Sequence, residues 1–251
     1  MSMRFPFPTL AHILRGVSCL GFRLLSILAS LFISFTIIAD TIPLVHLEKI
    51  PFDGRRAKVI NDSVGNAHMV FNRMGNMFYS KRLADESSFS EPIRVNSIER
   101  SPAIGEIAIG SDGTIHVLYH GNIFFVREKI KGLERKVNAR DIKYTFYSRL
   151  KPGADQFEPQ QEMSQGAWGF DGGCTITADG NGNVYAFFAG MKEQGKESDR
   201  KVFLRVSSDA GESFGDAQAI DLGLGVCMCC HLKSHTDDKG NLYLAYRVAP
   251  N

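Results

Sequence analysis

The sequence predicts an all-β fold assembled from repeated four-stranded antiparallel units, and three observations predict it. A short phrase recurs four times, as VGNAHMVF (64–71), DGTIHVLY (112–119), NGNVYAFF (181–188) and KGNLYLAY (239–246). A β-rich segment precedes each copy, and another follows each of the first three. Those three units then close with a turn and a further aromatic.

Each phrase holds a turn glycine (Gly65, Gly113, Gly182 and Gly240), then His or Tyr among β-formers, then a closing aromatic. Glycine supplies the positive-φ turn position, and β-branched and aromatic residues suit a pleated, half-buried surface. Upstream segments such as IGEIAIG (104–110) and CTITADG (174–180) make each phrase the second arm of a hairpin. Third strands follow at NMFYSKRL (76–83), YTFYSRLK (144–151) and KVFLRVSS (201–208). The closing segments are ESSFSEPIRV (86–95), ADQFEPQQEM (154–163) and GESFGDAQAI (211–220). Four antiparallel strands, repeated, are the layout of a β-propeller blade.

From glycine to glycine the repeat intervals are 48, 69 and 58 residues. The charged insert REKIKGLERKVNARDIK (127–143) supplies most of the excess in the second unit. It reads as a solvated surface loop or as a lid over a ligand. Three full units and the opening hairpin of a fourth fit the chain, about three and a half blades. YRVAPN (246–251) stops where a third strand is expected to begin. An unclosed propeller exposes sheet edges, so the chain reads as a partial form of a longer protein.

The N-terminus has a separate character. Residues 1–39 carry Arg4, Arg15 and Arg23, no acid, and the sixteen-residue uncharged run LLSILASLFISFTIIA (24–39). A basic start, an apolar run and the polar Asp40 are the layout of an export signal cleaved after Ala39. An uncleaved N-terminal anchor and a buried core helix are the alternatives, although a spanning helix needs about 20 apolar residues. Export, whether periplasmic, extracellular or membrane-anchored, is therefore expected for residues 40–251, with membrane contact only through an uncleaved leader. Without residues 1–39 the chain holds 26 basic and 27 acidic side chains. A body so near neutrality gives no electrostatic reason to expect nucleic acid as partner.

Removing the leader removes Cys19 and keeps Cys174, Cys227, Cys229 and Cys230, the last three inside GLGVCMCCHL (223–232). The exported setting favours oxidised or metal-bound thiols. Three readings compete. Cys227, Cys230 and His231 fit the C-x-x-C-H pattern of covalent haem c attachment. Thiolates and imidazole also suit zinc or copper. A disulfide, from Cys174 to one of the trio or between Cys229 and Cys230, is the third, and no cofactor is expected under it. The links that enter each first strand, NSIERSPAIGE (96–106), QGAWGFDGGC (165–174) and GLGVCMCCHL, gather at one mouth of a propeller channel. In repeat alignment Cys174 matches Leu232, so all four cysteines are expected near one another at that mouth.

Residues 207–214 read SSDAGESF, which matches the Asp-box S-x-D-x-G-x-x-[WF]. Asp209 and Ser207 can accept turn N–H groups, Gly211 can take positive φ and Phe214 can tuck between sheets. The first two units keep only the aromatic, at Phe89 and Phe157. With FDGGCTITADGNGNVYAFF (170–188) and VCMCC followed by DDKGNLYLAYR, this turn makes residues 40–251 resemble exported sialidase-like propellers of the bacterial-neuraminidase repeat type. The resemblance implies a scaffold role for Ser207, Asp209, Gly211 and Phe214, on the face away from the ligand. It also implies a set of arginines, the first in an R-I-P motif, which the sequence lacks. Arg55 and Arg56 in FDGRRAKV are the nearest basic pair and have the wrong neighbours. No catalytic residue is carried over.

Ligand-binding candidates are the mouth-side residues Glu99, Arg100, Glu106, Trp168 and Asp171. Acids there could form the carboxylate pair of a glycosidase, and Trp168 could stack on a sugar ring or pack between blades. His68 and His116 occupy equivalent repeat positions and read as scaffold. The expected function is binding of a glycan or other extracellular ligand at the channel mouth. The alternatives are a sialidase-type glycoside hydrolase with part of its catalytic set outside this chain, and a metal- or haem-binding redox protein.

Overall fold

A computed structural model describes residues 47–98, 102–122, 143–167, 173–192, 196–220, 223–227 and 230–249. The chain divides into Met1–Lys49 and Ile50–Asn251. The apolar run 24–39 lies outside the described residues, among which no helix is long and apolar enough to cross a membrane. The insert at 127–143 lies almost wholly outside them as well.

Three four-stranded antiparallel sheets follow in chain order. The first holds β1 (Arg55–Asn61), β2 (Ala67–Arg73), β3 (Asn76–Arg82) and β4 (Ile93–Arg94). The second holds β5 (Pro102–Ile109), β6 (Ile115–Asn122), β7 (Lys143–Leu150) and β8 (Gln161–Glu162). The third holds β9 (Cys174–Ala178), β10 (Val184–Gly190), β11 (Lys201–Ser207) and β12 (Gln218–Ile220). Each strand pairs with the next, as expected of propeller blades. The recurring glycines open the second strands with φ of 90° at Gly65, 85° at Gly113, 84° at Gly182 and 80° at Gly240.

The fourth unit departs from its expected form. β14 (Lys233–Thr236) pairs with β15 (Leu242–Ala245), as a blade's first hairpin should. Val248–Ala249, expected to lead into a third strand, instead forms β16 and pairs back on β13 (Gly225–Val226). Val226 faces Val248 and Lys233 faces Ala245, so seven steps on one strand oppose three on the other. The cysteine-rich stretch between Val226 and Lys233 is therefore four residues longer than the stretch opposite it.

Blade stacking explains why the second strands are so apolar. On β10, Ala186 and Phe188 pack toward the second blade, against Leu118, Tyr147 and Met163. Phe187 and Ala189 pack the other way, against Val226 and Leu232. Successive strand residues face opposite sides, and here both sides are covered. A third cluster joins the first two blades through Val70, Met77 and Tyr79 with Val117, Tyr119 and Phe157.

A repeated three-residue unit ties one blade to the next. His68 Nδ1 and Tyr79 Oη are 2.8 Å apart, and Phe157 of the next blade meets the Tyr79 ring edge-on at 5.8 Å. His116 Nδ1 and Tyr147 Oη are 2.7 Å apart, and Phe214 meets Tyr147 edge-on at 4.8 Å. Both histidines are buried and bonded within the blade, which accounts for their equivalent repeat positions.

Burial, reinforced by the charge of Arg149 and opposed by Asp112, pulls His116 down from 6.5 to about 4. An unfolded imidazole takes its proton below pH 6.5, while the folded one stays neutral until about 4. The contribution is fully present above pH 6.5 and is lost as pH falls toward 4. At about 1.4 kcal/mol per tenfold difference in proton affinity, the loss is about 3 kcal/mol. Urea unfolding at pH 7.0 and 4.5 should show a smaller stability difference for His116→Asn than for the parent chain. An unchanged difference would assign the acid sensitivity elsewhere.

Candidate functional site at the hub

The first strands of the four units, β1, β5, β9 and β14, line the hub. Neighbouring first strands belong to different sheets and share no ladder, so their side chains must join them. Between β9 and β14 that task falls to hydroxyls. Thr175 Oγ1 and Ser234 Oγ are 3.0 Å apart, Thr177 Oγ1 and Thr236 Oγ1 also 3.0 Å, and Thr236 Oγ1 donates to the Ala178 carbonyl at 2.7 Å.

Charges from three sheets converge beside them. Glu106 on β5 is buried, with its side chain 8% exposed. Its Oε1 lies 3.1 Å from Lys58 Nζ on β1, and its Oε2 lies 2.6 Å from Lys233 Nζ on β14. A buried carboxylate needs such counter-charges. Both lysines keep solvent access, at 34% and 56% side-chain exposure. Among the described residues, two ammonium groups thus face one carboxylate there.

At the other end of the hub, a concavity of about 810 Å³ opens among the hairpin turns, lined in part by Ile60, Asp62, Ile107, Ala178, Asp179 and Thr236. This is the end at which the SSDAGESF turn lies, since Gly211 abuts Tyr147 and His116 beneath the Gly110–Gly113 turn. Asp62 and Asp179 there are committed to their own turns. Asp179 Oδ1 accepts the N–H groups of Asn181 and Asn183 at 2.8 and 2.9 Å, and Oδ2 accepts Asn183 Nδ2 at 2.7 Å. Asp62 and Asp237 repeat that arrangement with Asn66 and Asn241. Burial works against ionisation of Asp179, but these hydrogen bonds outweigh it and hold the carboxyl below the usual range. The D-x-x-G-N spacing at 62–66, 179–183 and 237–241 carries this signal in the sequence. In the second unit Gly110 replaces the aspartate, and Asp112 occupies the space its Cβ would need.

The SSDAGESF turn is closed by its own side chains. Ser207 Oγ donates to Asp209 Oδ1 at 2.6 Å and accepts Gly211 N–H at 2.8 Å. Ser213 gives Asp209 its N–H at 2.9 Å and its hydroxyl at 2.6 Å. These bonds, led by Ser207, lower Asp209 to about 2.

Of the expected ligand-binding residues, Glu106 is in the hub, whereas Glu99, Arg100, Trp168 and Asp171 lie outside the described residues. Lys58 and Lys233, which sequence reasoning missed, share its site. Nothing in their local sequence marks them, since they meet only through the ring of blades.

The cysteines divide. Cys174 is buried toward the second blade, its thiol 3.8 Å from the Leu118 carbonyl. Burial, with the charge of Glu106 adding to it, raises its pKa strongly. Val226 and Leu232, which flank the other cysteines, pack on the opposite face of the same sheet. At the backbone, a Cβ on Gly173 would lie 3.7 Å from the Cys230 carbonyl. The thiol itself points away, because adjacent strand residues alternate, so the structure does not bring Cys174 to Cys227 or Cys230 for bonding. Cys227 Sγ and Cys230 Sγ are instead 3.1 Å apart. Cys229 lies outside the described residues. His231 is exposed, and among the described residues no three His, Cys, Asp or Glu side chains converge as a metal site.

No family model and no curated protein matches this chain. Solved structures do. A protein of unknown function from Dyadobacter fermentans matches 82% of this chain at 15% identity, with a TM-score of 0.53 over 65% of its own length. A Hadza microbial sialidase matches 71% of the chain at 7% identity, with a TM-score of 0.48 over 39% of its length. An alpha-L-arabinanase from Penicillium chrysogenum, complexed with arabinobiose, matches 77% at 13% identity, with a TM-score of 0.48 over 52% of its length. The chain thus spans less than two thirds of each. The first likeness concerns the fold alone.

Proposed function

We propose that this chain is part of an exported β-propeller that binds a carbohydrate at its hub, with an acidic sugar favoured. The observation that carries this reading is Glu106 held between Lys58 and Lys233, three charges from three blades, two of them positive. Lys233, whose side chain is the more exposed of the two, is the one a ligand carboxylate or sulfate would meet first. The sialidase-like resemblance supports the same ligand class. A hydrolytic activity rests on that resemblance alone, and a fluorogenic sialoside assay decides it.

A glycan array with the exported protein tests the binding reading, followed by calorimetry on the best acidic ligand. Lys233→Ala should weaken binding about tenfold, equivalent to about 1.4 kcal/mol. Affinity should also fall as salt rises, since the lysines are solvent-accessible. Retention of no glycan, or equal affinity of Lys233→Ala and the parent protein, would refute the assignment.

A further inference from the structure

We propose that Cys227 and Cys230, between β13 and β14, form a reversible dithiol–disulfide pair. The two sulfurs are 3.1 Å apart, about 1 Å beyond an S–S bond of about 2.05 Å. The fold, not a crosslink, brings them there. On one side the segment is pinned by the β13–β16 ladder and by Cys227 N–H donating to the Arg247 carbonyl at 3.0 Å. On the other it is pinned by Leu232, which is fully buried against the third blade. Closing the bond therefore needs a small movement within a loop whose two ends are already fixed.

Two features make the pair reactive rather than inert. Both cysteines are half-buried, so a reagent can reach them, in contrast to Cys174. The Arg247 guanidinium lies 3.8 Å from Cys230 Sγ, placing a positive charge where an attacking or leaving sulfur carries negative charge. The oxidant is a disulfide, such as oxidised glutathione. Cys230 thiolate attacks one of its sulfurs, the S–S bond breaks, and one glutathione thiolate leaves. Cys227 thiolate then attacks Cys230 Sγ in the mixed disulfide and expels the second glutathione thiolate. The two cysteines lose two electrons and two protons, and the glutathione disulfide gains both. Reduced glutathione reverses the sequence.

The test uses the full chain equilibrated over a series of glutathione redox ratios. Remaining thiols are blocked with N-ethylmaleimide, the protein is reduced and relabelled with iodoacetamide, and the labels are located by tandem mass spectrometry. Cys227 and Cys230 should change label together at one midpoint, with the intact chain losing two hydrogen atoms. Cys174 should label only after denaturation, which reports that the fold is intact. Cys229→Ser should keep the transition, and Cys227→Ser and Cys230→Ser should each abolish it. The proposal fails if the bond maps to Cys229–Cys230 or to Cys174, or if Cys229→Ser removes the transition. It fails also if Cys227 and Cys230 stay fully alkylatable in the oxidising buffers. The label pattern of the unsubstituted protein decides the matter even if a serine variant does not fold.

Discussion

Gly211→Ala lowers the unfolding free energy by about 3 kcal/mol, combining positive-φ strain with overpacking. Gly211 has φ of 79° and follows Ala210, itself at 54°. A methyl group there would run into the Tyr147 hydroxyl and press on His116 Nδ1. Those atoms form the buried 2.7 Å hydrogen bond of the second blade. The substitution therefore breaks the joint between the second and third blades, not merely a surface turn. For a folded region near 200 residues the melting temperature should fall by about 6–12 °C. Gly153→Ala is the matched control, because Gly153 has φ of 78° with no atom within 4 Å of its added Cβ. It should cost only the conformational share, about 1 kcal/mol. Equal melting temperatures for the two variants in calorimetry would show that the contact with Tyr147 has no energetic weight.

Arg149→Leu is expected to cost about 2–3 kcal/mol, less than a fully buried ion pair would because its acidic partners retain water. The guanidinium is buried at the same joint. Its Nε donates to Glu158 Oε2 at 2.6 Å, one Nη to the Ala210 carbonyl at 3.0 Å and the other to Glu212 Oε2 at 2.8 Å. One planar donor set thus ties β7 to its own closing segment and to the turn of the next blade. Arg149→Lys should recover less than half of the loss, since an ammonium cannot reproduce the fork. The hydrogen bond from Arg149 also holds the Glu158 carboxyl below its ordinary range, against a smaller opposing effect of burial. A depressed acid stabilises the fold above its unfolded pKa and loses that contribution as pH falls through the folded value. In Arg149→Leu, denaturant midpoints between pH 5 and 3 should therefore fall less steeply than in the parent. An unchanged slope would mean that Glu158 is not the group being titrated.

Much of this architecture is legible along the chain because blades are local. Each hairpin pairs strands a few residues apart, so the glycine, the β-formers and the aromatic that specify it lie within one phrase. KGNLYLAY announces β15 as plainly as NGNVYAFF announces β10. His68 and His116 were legible as scaffold for the same reason, since a position repeated at one register must meet a repeated neighbour. The D-x-x-G-N spacing likewise marks its turns in the sequence, since the aspartate bonds groups only two to four residues on.

What the chain determined by itself is the set of strands, their antiparallel order and the turn chemistry, because local sterics and hydrogen bonding act between near neighbours. What only the tertiary structure decided is which distant side chains share a place. Lys58, Glu106 and Lys233 come together because their first strands, with β9 standing between β5 and β14, face one hub. The same holds for sulfur. Pleat alternation turns the Cys174 thiol toward Leu118, while Cys227 and Cys230 meet each other. Spacing along a strand sets proximity of the backbone; the face on which a side chain emerges is set by packing on both sides of the sheet.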